Sequence, residues 1–203
     1  MKQWFYSSYI YLKDEIFDGS MAIEDGKIVA FERGIHEGAK RYDDKRIIPG
    51  IIDTHNHGSY GWSMMEHTSK ESVQNFLKAV ASQGVTTVFP TTFPSPGEIG
   101  VEGIIDAMND EIVGAQIGGI HFEGPYLNPE NKGAQSEENI LSPLKDDPTP
   151  LIECWDKVRI MGVAPEIDGA FELGEKLKEK GVVVSVAHTK ADYDTTIAAL
   201  DHG

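Results

Sequence analysis

Apolar and polar positions follow two different rhythms along the 203-residue chain. Up to about residue 46 the period is two, in short runs at 9–12, 20–24 and 27–33. Successive side chains of a strand point to opposite faces, so these runs predict half-buried strands. Asp18-Gly19 and Asp25-Gly26 punctuate them. An Asp-Gly pair between alternating segments is a hairpin signal, because both residues tolerate positive φ. Residues 1–46 therefore read as a small β module, separate from the rest of the chain.

From residue 47 the rhythm lengthens. Apolar runs at 47–57, 85–90, 117–123, 158–164 and 182–188 predict strands. Helical spacing fills 69–83 and 171–180, stopped by Gly84 and Gly181; a helix around 98–112 and one starting near Asp192 complete the series. Strands alternating with helices predict a parallel α/β sheet or barrel over 47–203. The uninterrupted apolar run 182–187 predicts a strand buried on both faces. The long stretch 124–150, rich in Asn, Pro, Gly and Glu, is a candidate active-site loop. A doubly wound nucleotide-binding sheet would carry a glycine-rich phosphate loop after its first strand. Here the strand ends carry His and Glu instead. A closed (β/α)8 barrel needs three units beyond these five, so the expectation is an α/β TIM-type barrel truncated after about five units.

Composition changes this picture little. Hydrophobic residues make up 40% and charged residues 25%, as in ordinary soluble domains. The net charge of -15 argues against nucleic acid or an anionic membrane as partner, since nothing here could neutralise a run of phosphates. It reads as a solvated surface, and an anionic ligand would need a locally positive pocket. Cys154 is alone, which excludes an intramolecular disulfide and suggests a reducing compartment. The N-terminus lacks the basic start and sustained apolar stretch of a signal peptide. No run reaches the roughly 18 apolar residues of a spanning helix. A cytoplasmic location is expected.

Three strand ends carry the candidate chemistry. In Asp53-Thr54-His55-Asn56-His57-Gly58, alternation puts Asp53, His55 and His57 on one face. The two imidazoles either ligate one ion or are solvated or core histidines, and the aspartate supports a ligand or the local fold. In His121-Phe122-Glu123-Gly124-Pro125, His121 and Glu123 share a face and Gly-Pro turns the chain at the rim. A carboxylate beside imidazoles suits Zn²⁺, Mn²⁺ or Fe²⁺. His188 closes the third run, either as a satisfied core residue or as a ligand. Random core histidines would not all fall at strand ends, which shifts the balance toward a metal site. His36, His67 and His202 read as surface residues, Thr91 and Thr92 as pocket-lining or strand-forming, and Glu166 as a loop carboxylate.

The segment from Pro49 to Gly58 resembles the first-strand motif of the amidohydrolase superfamily. His121-Phe122-Glu123-Gly124-Pro125-Tyr126-Leu127 with Lys132-Gly133-Ala134-Gln135 after it is similar to the N-acetylglucosamine-6-phosphate deacetylase family in particular, as are Ala164-Pro165-Glu166 and Ala187-His188-Thr189. The resemblance implies a metal-dependent barrel with a small β-sandwich built from both termini, usually a homodimer. It implies Glu123 and His188 as ligands of a principal divalent ion (Zn, Fe, Mn or similar), and His55 and His57 as ligands of a second. Ala134 and Gln135 fall where the family contacts the sugar. A third metal histidine, the catalytic aspartate and the phosphate-holding residues would lie beyond Gly203, so no catalytic residue is expected within the chain, which alone would be inactive. The implied reaction is hydrolysis of the N-acetyl group to glucosamine-6-phosphate and acetate. The alternatives are an N-acetylgalactosamine-6-phosphate deacetylase, another amidohydrolase, or a non-catalytic homologue.

Overall fold

A computed structural model describes residues 1–65, 69–93, 101–111, 113–145 and 154–203. The chain forms two compact units, Met1–Gly50 and Ile51–Gly203. His67, the ends of the helix expected at 98–112 and the end of the 124–150 loop lie outside the described residues.

The first unit is one sheet. Strands β1 (Gln3–Tyr11), β2 (Ile16–Glu24) and β3 (Lys27–Arg33) pair antiparallel, and the short strands β4 (Lys40–Arg41) and β5 (Arg46–Ile47) run parallel to β1. Ile10, Phe17 and Met21 make its core, with Leu12, Ile23 and Ile47 against them. Asp25 and Gly26, at φ 49° and 74°, turn the β2–β3 hairpin as their sequence predicts. Asp18-Gly19 makes no turn. It lies inside β2, where Gly19 pairs with Ser7 and Arg33. A Cβ there would overlap the Phe17 ring and the Glu32 carbonyl, so this glycine serves close packing. The chain reverses instead at 12–15, where Leu12 N–H donates to the Glu15 carbonyl.

The second unit alternates strand and helix. Strand β6 (Ile51–Asn56) leads into a two-stranded ribbon, β7 (Gly58–Ser59) with β8 (Trp62–Ser63). Then come helix α1 (Lys70–Ala81), β9 (Val85–Thr92), α2 (Glu102–Met108), β10 (Gln116–Ile117) and β11 (Ile120–Glu123). Beyond the long loop lie β12 (Val158–Val163), α3 (Ala170–Glu179), β13 (Val183–Val186) and α4 (Tyr193–Asp201). Ser69 caps α1 through a reciprocal pair of bonds with Ser72, and the helix buries Val73, Phe76, Leu77 and Val80, one stripe at helical spacing.

All the main strands are parallel, and each after β6 bonds to an earlier one: β9 to β6, β10 and β11 to β9, β12 to β11, β13 to β12. This unbroken order has no point of reversal, as a doubly wound sheet would, and the sheet is a curled parallel half-barrel. Phe122, Ile120, Val158 and Met161 join the α1 stripe in a single core. The expectation that 182–187 is buried on both faces fails. Val183 is 63% exposed and Val186 40%, because β13 has β12 on one side and no strand on the other among the described residues. Among the described residues no helix is long and apolar enough to cross a membrane.

Candidate metal centre

The carboxyl ends of β6, β11 and β13 bring their side chains together around Glu123. Its carboxylate is buried, and three imidazoles face it. His55 Nε2 lies 3.2 Å from Oε1, His188 Nε2 3.2 Å from the same oxygen, and His57 Nε2 3.1 Å from Oε2. His55 and His57 are 3.0 Å apart at their Nε2 atoms. The ligand atoms of His55, His57 and Glu123 lie within 4.8 Å of one another, a group that could hold an ion, and His188 joins it through Glu123.

Hydrogen bonding fixes how these rings are oriented. His57 Nδ1 donates to the Thr91 carbonyl at 3.0 Å, and His188 Nδ1 to the Asn131 carbonyl at 2.8 Å. A carbonyl can only accept, so each Nδ1 carries a proton, and each Nε2 faces Glu123 with a lone pair when the ring is neutral and with a second proton when it is charged. With neutral rings, lone pairs on nitrogen and oxygen would converge at 3.0–3.2 Å. Either extra protons or a cation must relieve that repulsion. Ligands about 2.0–2.1 Å from a tetrahedral ion stand roughly 3.3 Å apart, close to these separations. The donor set, imidazole with carboxylate, therefore fits a divalent ion of the zinc kind.

The electrostatics agree. Burial pushes the Glu123 carboxyl up, but the hydrogen bond from His57 and the charges of His57, His55 and His188 outweigh it and bring it down to about 2. His121 takes a different part. It is buried, its Nδ1 donates to the Thr54 carbonyl at 2.7 Å, and its ring stands edge-on to His55 at 4.8 Å. Burial pushes its pKa down, with the charges of His55 and His57 adding to the effect against the Thr54 bond. The His121 ring backs the His55 ring.

Supporting contacts come from residues the sequence pattern marked less clearly. Asp53 turns to the local fold: its carboxylate accepts from the His55 N–H at 3.2 Å and from Asn56 Nδ2 at 2.8 Å. Thr91 is fully buried and binds Asn56 N–H through its hydroxyl while its carbonyl orients His57. Gln135 is buried and donates to the Glu123 carbonyl at 2.9 Å, whereas Ala134 is exposed. Gly133, at φ 60°, lies flat against His188: a Cβ there would be 3.1 Å from the ring Cε1. The 131–135 segment thus packs against both Glu123 and His188. Glu166 accepts from Thr189, from Lys190 N–H and from Asn128; burial pushes its carboxyl up, and these bonds outweigh that and hold it below the usual range. A spacing pattern carries no signal for such contacts, since each depends on which loops meet.

A cavity of about 530 Å³ lies beside Glu166, lined also by Asp168, Glu172 and Asp194. Four carboxylates make it a poor seat for a phosphate. His36 stacks on Trp4 at 3.8 Å and His202 on Phe171 at 4.9 Å.

Residues 46–203 match the model of the amidohydrolase family. The chain belongs to that family. It is 31% identical over 193 residues to an N-acetylglucosamine-6-phosphate deacetylase of Bacillus subtilis, covering 87% of this chain and 48% of that protein. It is also 31% identical over 190 residues to an N-acetylgalactosamine-6-phosphate deacetylase of Escherichia coli O157:H7, with 92% of this chain and 50% of the other covered. Among solved structures, a mutant N-acetyl-D-glucosamine-6-phosphate deacetylase from Mycobacterium smegmatis, in complex with N-acetyl-D-glucosamine-6-phosphate, superposes with a TM-score of 0.83 at 28% identity. All of this chain and 54% of that one are covered. The chain spans about half the length of the curated relatives it matches.

Proposed function

We propose that this chain supplies the metal-binding portion of a deacetylase that hydrolyses the acetamide of N-acetylglucosamine-6-phosphate. The observation that carries the proposal is the Glu123 carboxylate faced by His55, His57 and His188 at 3.1–3.2 Å, on a chain of the amidohydrolase family. Relatives bearing that activity in their names support the choice of substrate.

In this proposal Glu123 and His188 would hold the principal ion, and His55 and His57 a second. Such ions supply Lewis acidity, activating water and polarising the acetamide carbonyl. The chain's own residues do the rest of the local work. Thr91 and Asn131 carbonyls keep the Nδ1 protons of His57 and His188 in place, so both Nε2 atoms stay available. Gln135 steadies Glu123 from behind, and Ala134 with the outer part of this loop contacts the sugar. In the reaction, water oxygen bonds to the acetyl carbon, the C–N bond breaks, and a proton passes to the departing amine, giving acetate and glucosamine-6-phosphate. The aspartate that moves the proton and the cationic groups that hold the phosphate belong, in this proposal, beyond Gly203. The same portion would close the half-barrel into a (β/α)8 barrel and add the second layer of a β-sandwich to the first unit. Assembly as a homodimer in the cytoplasm completes the proposal.

The equal identity to an N-acetylgalactosamine-6-phosphate deacetylase favours one second reading, in which the sugar is the 4-epimer. Acetate release from both sugar phosphates, measured on the complete reading-frame product with Zn²⁺, Mn²⁺ or Fe²⁺ supplied, separates the two. Release from neither above the level of a Glu123→Gln variant would sink both.

A further inference from the structure

Glu166 lies just past the end of β12, outside the group of donors around Glu123. Its carboxylate is nonetheless fully engaged. Oε1 accepts from Asn128 Nδ2 at 2.8 Å and from Lys190 N–H at 2.6 Å, and Oε2 accepts from the Thr189 hydroxyl. Those donors come from the loops after β11 and β13. One side chain therefore ties together the loops at the ends of three neighbouring strands of the sheet.

What these bonds enclose is His188. At φ 46° it adopts the left-handed conformation that disfavours every residue with a Cβ. A strained backbone persists only where its surroundings over-determine it. Here the restraint is visible on both sides. The His188 carbonyl accepts from Asn128 N–H at 3.1 Å, and the next residue, Thr189, is held by Glu166. Thr189 Oγ1 in turn accepts from Ala191 N–H at 2.8 Å, which tightens the turn. Asn128 is itself fixed by Glu166, and three residues on, the Asn131 carbonyl receives the His188 Nδ1 proton. With Glu166 removed, both anchors of the strained residue loosen together. His188 is then free to relax to negative φ, which swings its imidazole away from Glu123.

We propose that Glu166 is a positioning residue: its three hydrogen bonds hold His188 in its left-handed conformation, with the imidazole Nε2 aimed at Glu123. The positioning role stands on these contacts alone; its consequence for metal binding rests on the metal-centre reading of the proposed function.

The test uses the full chain and two readouts. In the metal-free protein, ¹⁵N spectra of histidine-labelled samples report the tautomer and ordering of each ring. His188 is expected as a fixed Nδ1–H tautomer in the wild type and as an averaging ring in Glu166→Ala. Zn²⁺ affinity, measured by competition with a chromophoric chelator, is expected to fall about 10–100-fold in Glu166→Ala. Glu166→Gln keeps the side-chain length and an acceptor oxygen for Asn128 and Lys190, and is expected to recover most of that loss. A core variant remote from the site, Leu177→Ala, lowers the thermal midpoint with Zn²⁺ affinity unchanged. An unchanged His188 spectrum in Glu166→Ala overturns the proposal, whatever happens to zinc. So does a Leu177→Ala variant that weakens zinc by the same factor. A wild type that binds no zinc overturns the metal-centre reading instead, and the spectra still decide the role of Glu166. Where Glu166→Ala fails to fold, Thr189→Val removes one of the three bonds, and an unaltered His188 signal there overturns the proposal equally.

Discussion

Gln135 donates its buried side-chain amide to the main-chain carbonyl of Glu123, 2.9 Å away and twelve residues back along the chain. A residue expected at the sugar thus has its polar group committed to the backbone of the residue at the centre of the site. Gln135→Met keeps the volume and leaves that carbonyl without its partner. Losing one partner of a buried hydrogen bond costs about 1–3 kcal/mol, so the urea midpoint should fall accordingly. An unchanged midpoint would mean that water replaces the amide without penalty.

Metal should stabilise the second unit. An ion bound to the native state alone adds about 2.7 kcal/mol at a hundredfold excess over its dissociation constant. Zn²⁺ should therefore raise the thermal midpoint of the chain and EDTA should reverse the rise. His57→Ala removes one of the three closest donors and should abolish most of the shift. A shift of equal size in His57→Ala would show that His57 takes no part in holding the stabilising ion.

Acid should weaken the metal-free protein through Glu123. Its carboxyl is lowered from 4.5 to about 2 in the folded state. A depressed folded pKa gives stability that is present above the unfolded value and lost as pH falls through the folded one. The window is therefore pH 4.5 down to about 2, and the loss is on the order of 3 kcal/mol. Glu123→Gln should flatten this part of a stability–pH curve measured in chelator. A wild-type curve already flat over that window would contradict the ion-paired state of Glu123.

Gly133→Ala should disturb His188 more than its single methyl suggests. The residue sits at φ 60°, where a Cβ costs roughly 1–2 kcal/mol, and that Cβ would press on the ring at 3.1 Å. Zn²⁺ affinity should drop by about tenfold, within the range for altered supporting contacts. Full affinity would show that the ring gives way without losing its aim.

What the sequence could reveal depended on how local each determinant is. The gathering of His55, His57, Glu123 and His188 is legible because strand periodicity assigns each to a strand end, and the ends of a parallel sheet share one rim. The Asp25-Gly26 turn was readable for the same reason, its φ values being a property of two adjacent residues. Asp18-Gly19 misled because a glycine used for close packing and one used for turning look alike until the partner strand is known. The run 182–187 misled because burial on both faces depends on neighbours to either side, which an apolar run cannot specify. Glu166 and Gln135 remained obscure as supports, since their partners lie 12 to 38 residues away in loops with no periodicity.

The order of strands in the second unit bears on how the chain is made. Each parallel strand after β6 finds a bonding partner in a strand synthesised before it, through to β13. No strand must wait for a later one to appear before it can dock, so the sheet can grow vectorially as the polypeptide leaves the ribosome. The first unit differs in its last step, because β4 and β5 return to the free edge of β1 after β2 and β3 have been laid down on its other side. On a translating ribosome the half-barrel should assemble strand by strand, whereas the sheet of the first unit should be completed only when residue 47 has emerged.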